Sequence, residues 1–257
     1  RIYAGTYDDI VDCSLIIITA GANQKPSETR LDLVHKNVSI LKSIIPEITR
    51  RGCEGLLLIV SNPVDILTYA AYRISGFPSS RVFGSGTVLD SARFRYLLSE
   101  HLSVDTESIH AFIIGEHGDS ELAVWSGTNV AGIPIHDFCE FRGHYRHTDA
   151  MEAIYSQVKN SAYDIIDRKG ATYYGIAMAI GHITESIIRN KNSILPVSSL
   201  LTGQYGLKDL YLSIPTIVNR NGAQQPLEIP LSGQEHLALQ KSARTLKEII
   251  QSLDFSV

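Results

Sequence analysis

The chain has 257 residues, 44% of them apolar, and a formal net charge of −4, which is enough for one large or two modest domains with a substantial core. No dense Lys/Arg run with interleaved aromatics suggests nucleic acid as a partner, apolar runs such as Leu56 to Val60 fall far short of the ~20 residues that cross a membrane, and no stretch reads as a secretory signal. Cys13, Cys53 and Cys139 are odd in number without CxxC or Cys/His spacing, which sets aside a disulfide framework and a metal site and points to a reducing, cytoplasmic setting.

In chain order, Leu15 to Thr19 and Leu56 to Val60 are continuously apolar and, with Arg81 to Gly84, read as short strands. Between the first two, Leu31, Val34, Val38, Leu41, Ile44, Ile45 and Ile48 recur at helical spacing, with Pro46 expected to kink the last turns. Strand, helix, strand of this kind is how a parallel sheet covered on both faces appears, with a right-handed crossover and ligands at the carboxyl ends of the strands. Two polar loops stand at such ends. Gly21 to Arg30 carries a glycine and two cations and reads as a lid or as a plain solvated connector. Val60-Ser61-Asn62-Pro63-Val64-Asp65 reads as a ligand contact or as a helix start, with Asn62 as N-cap and Pro63 at the first helical position.

After Gly84 the pattern changes to a helix (Leu89 to His101), a strand (Ala111 to Ile114), two long helices (Asp149 to Asp167 and Tyr173 to Arg189), Pro-punctuated strands (Val197 to Leu231) and a closing helix (Gln234 to Leu253). The expected fold is α/β: an incomplete Rossmann-type parallel sheet over residues 1–84, the remainder of a dinucleotide-binding domain, plus an α+β catalytic domain over residues 85–257. No G-x-G-x-x-G follows a strand, and the chain opens almost directly before an apolar strand. At least one ~30-residue βαβ unit is therefore expected to precede Arg1.

Two constellations suggest chemistry. Asp90 and Arg93 are three apart, which puts a carboxylate and a guanidinium on one helix face. His117 sits between glycines in Gly115-Glu116-His117-Gly118-Asp119-Ser120, directly after an apolar run. Each has a bland alternative: a hydrogen-bonded structural histidine, or an acid favoured at a helix start. Jointly they suggest a base, its orienter and an anion clamp.

Gly21 to Arg30, Ser61-Asn62-Pro63, Asp90-Ser91-Ala92-Arg93 and Gly115 to Ser120 occur in the order seen in L-lactate dehydrogenases. The resemblance to that family spans essentially the whole chain. It continues through Arg142-Gly143-His144-Tyr145, Lys169 to Gly175 and Leu195-Pro196-Val197-Ser198, and is most like the bacterial, allosterically regulated branch. It implies reversible hydride transfer between NADH and pyruvate, with His117 as proton donor, Asp90 fixing its tautomer, Arg93 holding the substrate carboxylate and Arg30 polarising the carbonyl. Gln24 would favour pyruvate, since malate dehydrogenases carry arginine there, and Thr172 and Asn62 would line the same pocket. Gly21, Ala22, Val60, Ser61, Asn62, Ser85, Ser43 and Tyr7 match the family's dinucleotide contacts.

Ser27 departs from the family's usual lid glycine, which restricts the backbone there. Arg95, two residues beyond Arg93 and so on roughly the opposite helix face, matches with His110 the family's fructose 1,6-bisphosphate site across a subunit interface. A homo-oligomer, a tetramer in this branch, is implied. The rivals are a malate or other 2-hydroxyacid dehydrogenase, disfavoured by Gln24, and an inactive truncated form that serves only as a scaffold binding anionic ligands or subunits.

Overall fold

The protein is described here by a computed structural model covering residues 1–22, 29–143, 145 and 147–255, with the side chain of Arg30 outside that description. β1 (Leu15–Ile18), β2 (Leu56–Ile59) and β3 (Val82–Gly84) lie parallel, with Leu15 beside Leu56 and Leu57 beside Val82. Helices cover both faces. Along β2, Leu57 and Ile59 enter one apolar cluster and Leu56 and Leu58 enter another, which is why the strand shows no polar alternation.

Between β1 and β2 runs α1 (Arg30–Thr49), started by a reciprocal cap in which Thr29 accepts from the Asp32 N–H and Asp32 accepts from the Thr29 N–H. It buries Val34, Val38, Leu41, Ile45 and Ile48. Pro46 lies inside the helix, which continues to Thr49. After β2, α2 (Val64–Ser75) begins one residue later than the sequence suggests. Pro63 occupies the capping position, so Asn62 is not the N-cap and belongs to the loop. α3 (Val88–Leu102) follows β3.

The strand expected at Ala111 to Ile114 is corrected to two short ones in different sheets, β4 (Ile109–His110) and β5 (Ile113–Ile114). β5 pairs with β6 (Leu122–Ala123), whereas β4 pairs with β7 (Asn129–Val130), which also pairs with β8 (Ile133–Pro134). The short α4 (Ile135–Phe141) completes this part. Two-residue strands are too brief for alternation to register. α5 (His147–Lys169) and α6 (Tyr174–Ile188) come next, then β9 (Ser193–Leu195), β10 (Ser198–Thr202), β11 (Lys208–Ser213), β12 (Thr216–Asn219), β13 (Gly222–Pro226) and α7 (Gly233–Gln251).

β10 and β11 do not stay with the second half of the chain. They extend the parallel strands into one five-stranded sheet of order β1-β2-β3-β10-β11, with β10 antiparallel to β3 through Ser198 and Gly84. The sheet therefore crosses the boundary expected at residue 84. α1, α2 and α7 share the core on one face, and α6 packs with Phe83 and Val197 on the other. α3 joins Val158 of α5 and the short strands in a third cluster.

Candidate active site

The carboxyl ends of β1, β2 and β3 open into a cavity of about 560 Å³, the place where sheets of this kind take ligands. Gly21 and Ala22 line it after β1, Val60, Ser61 and Asn62 after β2, and Ser85 after β3, while Thr172 closes it from before α6. Asn37, fully buried on α1, ties the loops together: its Oδ1 accepts from the Ala22 N–H at 2.7 Å and its Nδ2 donates to the Asn62 carbonyl at 2.8 Å. The Ser61 hydroxyl donates to the Ala20 carbonyl at 2.6 Å. A Cβ on Gly21 would come within 3.2 Å of the Ser61 Cβ, so the missing side chain lets these loops approach.

Arg93 and His117 line the same cavity. Asp90 joins them: its Oδ2 lies 2.6 Å from Nδ1 of His117, and its Oδ1 accepts from Nη1 of Arg93 at 3.3 Å. Asp90 is almost wholly enclosed, and the His117 side chain is 24% exposed. Burial alone would push the Asp90 carboxyl up, but the charge and hydrogen bond of His117, with Arg93, hold it below its ordinary value. Burial likewise opposes the imidazolium, yet Asp90 first, then Glu121 and Asp65, carry the His117 pKa up to about 9. With an ionised Asp90 accepting at Nδ1, Nε2 is the nitrogen available to a ligand.

The loop bearing His117 is anchored from distant elements. Its N–H donates to Asp65 Oδ2 at 2.8 Å, and the Glu116 N–H donates to Ser242 Oγ of α7 at 2.8 Å. Gly115 turns the chain at φ 95°, where a Cβ would press on Leu122 and Ser242. Asp65 also accepts from Ser198 at 2.6 Å and Ser213 at 3.2 Å, and burial raises its pKa to about 6. Asp65 and Asn37 escape sequence reasoning. Asp65 reads as a helix-start acid, and Asn37 signals itself only as an amide on the apolar face of α1.

Not every expected contact converges. Tyr7 sits in a short 3-10 turn beneath the Arg51 guanidinium, and Ser43 is exposed on α1 with its hydroxyl donating to the Ile40 carbonyl; neither lines this cavity. Gln24, Ser27 and the Arg30 side chain lie outside the described residues. Arg95 and His110 share a separate cavity of about 270 Å³, joined by His182 of α6, which the sequence did not flag. Arg95 donates to the Ala111 carbonyl at 3.2 Å.

The main cavity is lined by both apolar and polar groups. Val60, Leu89, Ile176 and Ile180 contribute apolar surface, and Ser61 and Asn62 contribute polar groups. Asp90, His117 and Glu121 bring ligand-type atoms within 4.8 Å of one another, and the imidazole–carboxylate hydrogen bond between His117 and Asp90 is chemically able to hold and pass a proton.

Comparison with known proteins gives the same picture across the chain. Residues 1–84 match the NAD binding domain of lactate/malate dehydrogenases, and residues 87–255 match the α/β C-terminal domain of the same family. The chain is 55% identical over 254 residues to an L-lactate dehydrogenase of Acetivibrio thermocellus, covering 99% of this chain and 80% of the relative. It is 53% identical over 250 residues to L-lactate dehydrogenase 1 of Clostridium acetobutylicum, covering 97% and 80%. A minor L-lactate dehydrogenase of Enterococcus mundtii, solved with ligands bound, superposes with a TM-score of 0.94 at 44% identity, covering 98% of this chain and 80% of that one.

Proposed function

The chain belongs to the lactate/malate dehydrogenase family, and from that footing we propose the division of labour at its active site: His117 exchanges the proton, Asp90 orients it and Arg93 clamps the substrate carboxylate. The protein is an NAD-dependent oxidoreductase that interconverts pyruvate and L-lactate. The observation that carries the assignment of roles is the Asp90 carboxylate bridging His117 at 2.6 Å and Arg93 at 3.3 Å beside one cavity.

When bound, NADH supplies the hydride that reduces the ketone carbon. The protein supplies the rest. Protonated at neutral pH, His117 gives its Nε2 proton to the ketone oxygen, and Asp90 stabilises the imidazolium and holds its tautomer. The Arg93 guanidinium suits a carboxylate through two parallel hydrogen bonds, which orients the ketone toward His117. Asn62 and Thr172 complete the pocket. Arg30 polarises the carbonyl, and Gln24 leaves room for a methyl group without a charge that would attract a second carboxylate. Gly21, Ala22, Val60, Ser61 and Ser85 contact the dinucleotide near its reactive end, with Ser43 and Tyr7 as more remote contacts.

We also assign Arg95 and His110 to a bisphosphate effector, fructose 1,6-bisphosphate, bound between subunits of a homotetramer in the cytoplasm. Support comes from the cavity they share with His182. It also comes from the α6 face beside it, where Tyr174 and Met178, spaced eight and four residues before His182, are 77% and 76% exposed. Among the described residues no helix is long and apolar enough to cross a membrane.

Comparing pyruvate with oxaloacetate at saturating NADH tests the substrate. Pyruvate is expected to win in kcat/KM, and a preference for oxaloacetate would reject the role of Gln24 and restore the malate alternative. Reduction requires His117 protonated, so it should fall as pH rises through about 9, while lactate oxidation, which needs the neutral ring, should rise over the same range.

A further inference from the structure

Glu121 follows His117 by four residues and is 6% exposed, yet its Oε1 has no hydrogen-bond partner among the described residues. Buried carboxylates normally anchor something, so an unpartnered oxygen calls for an explanation. Its side chain lines a second cavity of about 370 Å³, which shares Asn62, Arg93 and His117 with the first. A ligand-type atom of Glu121 lies within 4.8 Å of those of Asp90 and His117. The Tyr155 hydroxyl of α5 donates to the Glu121 carbonyl, which fixes the backbone that carries the acid.

We propose that Glu121 is a positioning residue for the proton transfer: its carboxylate holds the proton on His117 and so sets the pH range over which the keto acid is reduced. The acid has no anchoring bond at Oε1 through which to act, but it has charge at short range in a poorly solvated cluster, where charges act strongly. Around it are Asp90 and Arg93 from α3, His117 and Asp119 from its own loop, and Tyr155 and Lys159 from α5, while Asp65 at the start of α2 acts on His117. Glu116 is turned to the Ser120 hydroxyl. Lys159 donates to the Asp119 carbonyl at 2.7 Å and contributes positive charge on the far side of the cavity.

Burial and the charge of Asp90 raise the Glu121 pKa to about 8, whereas that of His117 lies at about 9. The charge of each group favours the charged form of the other. The negative charge of Glu121 then favours the protonated ring, and removing that charge lowers the His117 pKa.

The test is the profile of kcat/KM for pyruvate at saturating NADH from about pH 6 to about pH 10.5, which reports the ionisation of the NADH-bound enzyme before pyruvate binds, in the wild type, Glu121→Gln and Glu121→Asp. In Glu121→Gln the alkaline limb should move about 0.5–1 unit to lower pH, a roughly 2–5-fold loss near pH 9 that grows toward 3–10-fold at the alkaline end, with little change near pH 6. Glu121→Asp, which withdraws the charge without removing it, should move the limb part of the way and supplies the test if the Gln variant does not fold. A loss by the same factor at every pH, the signature of a structural role, overturns the proposal, and so does a limb that stays in place. The inference rests on His117 as the proton donor. A wild-type profile with no alkaline limb would overturn that assignment, whereas a wild-type limb unmoved in both variants overturns only the role of Glu121.

Discussion

At the scale of single residues, the chemistry turns on one carboxylate serving two cations. Asp90 gives one oxygen to His117 and the other to Arg93, so the imidazole and the guanidinium keep fixed positions relative to each other and to the cavity. Arg93→Lys preserves the charge but loses the planar fork, and kcat/KM for pyruvate should fall about 10–100-fold, the worth of one or two charge-assisted hydrogen bonds. Steady-state assays at saturating NADH check this, and a wild-type value would remove Arg93 from the carboxylate site. These three residues were legible because the sequence puts Asp90 and Arg93 on one helix face and leaves a histidine isolated between glycines. Asp65 and Glu121 were not. They interact with Ser198 and Ser213, in the case of Asp65, and with Asp90, in the case of Glu121, which come from other parts of the chain.

Among the elements, α1 does more than cover the sheet. Its apolar stripe follows the helical period and was readable, but Asn37 interrupts the stripe to bridge the loops after β1 and β2. Asn37→Ala would leave the Asn62 carbonyl and the Ala22 N–H without that partner, at a cost of about 0.5–1.5 kcal/mol per bond. Thermal melting should show the lost stability and calorimetric titration should show weaker NADH binding; no change in either would mean that the bridge is dispensable. The long helices were visible for the same reason as α1, since each repeats its apolar positions over several turns. β5 fell within the strand expected at Ala111 to Ile114, but β4 and β6 to β8 were invisible because strands this short carry no period, and their pairing partners lie across turns that propensity does not locate.

In the whole molecule, the five-stranded sheet joins the two halves of the chain, and Ser198 at the start of β10 meets both Gly84 of β3 and Asp65. The loop of His117 is thereby held by α2 and α7, so its position depends on the docking of the second half onto the first. The opposite faces of α3 serve separate cavities, Arg93 in one and Arg95 in the other. A rotation or shift of α3 driven by an anion at Arg95 would be felt at Arg93, a route for effector and substrate to bias one another. Fructose 1,6-bisphosphate should therefore lower the KM for pyruvate and favour the assembled form in sedimentation, and Arg95→Gln should abolish both responses. An Arg95→Gln protein that still responds fully would place the effector elsewhere.

The sequence by itself determined the helices and strands with enough length to repeat and the α/β class, and it singled out Asp90, Arg93 and His117 as candidates, because each of these signals lies within a few turns of chain. Only the tertiary structure decided that β10 and β11 complete the first sheet, that Asp65, Asn37 and Glu121 belong to the site, and that Tyr7 and Ser43 stand outside its cavity. The physical reason is that periodicity reports which side of an element is buried, whereas the distance between groups far apart in sequence is set by strand pairing and helix docking.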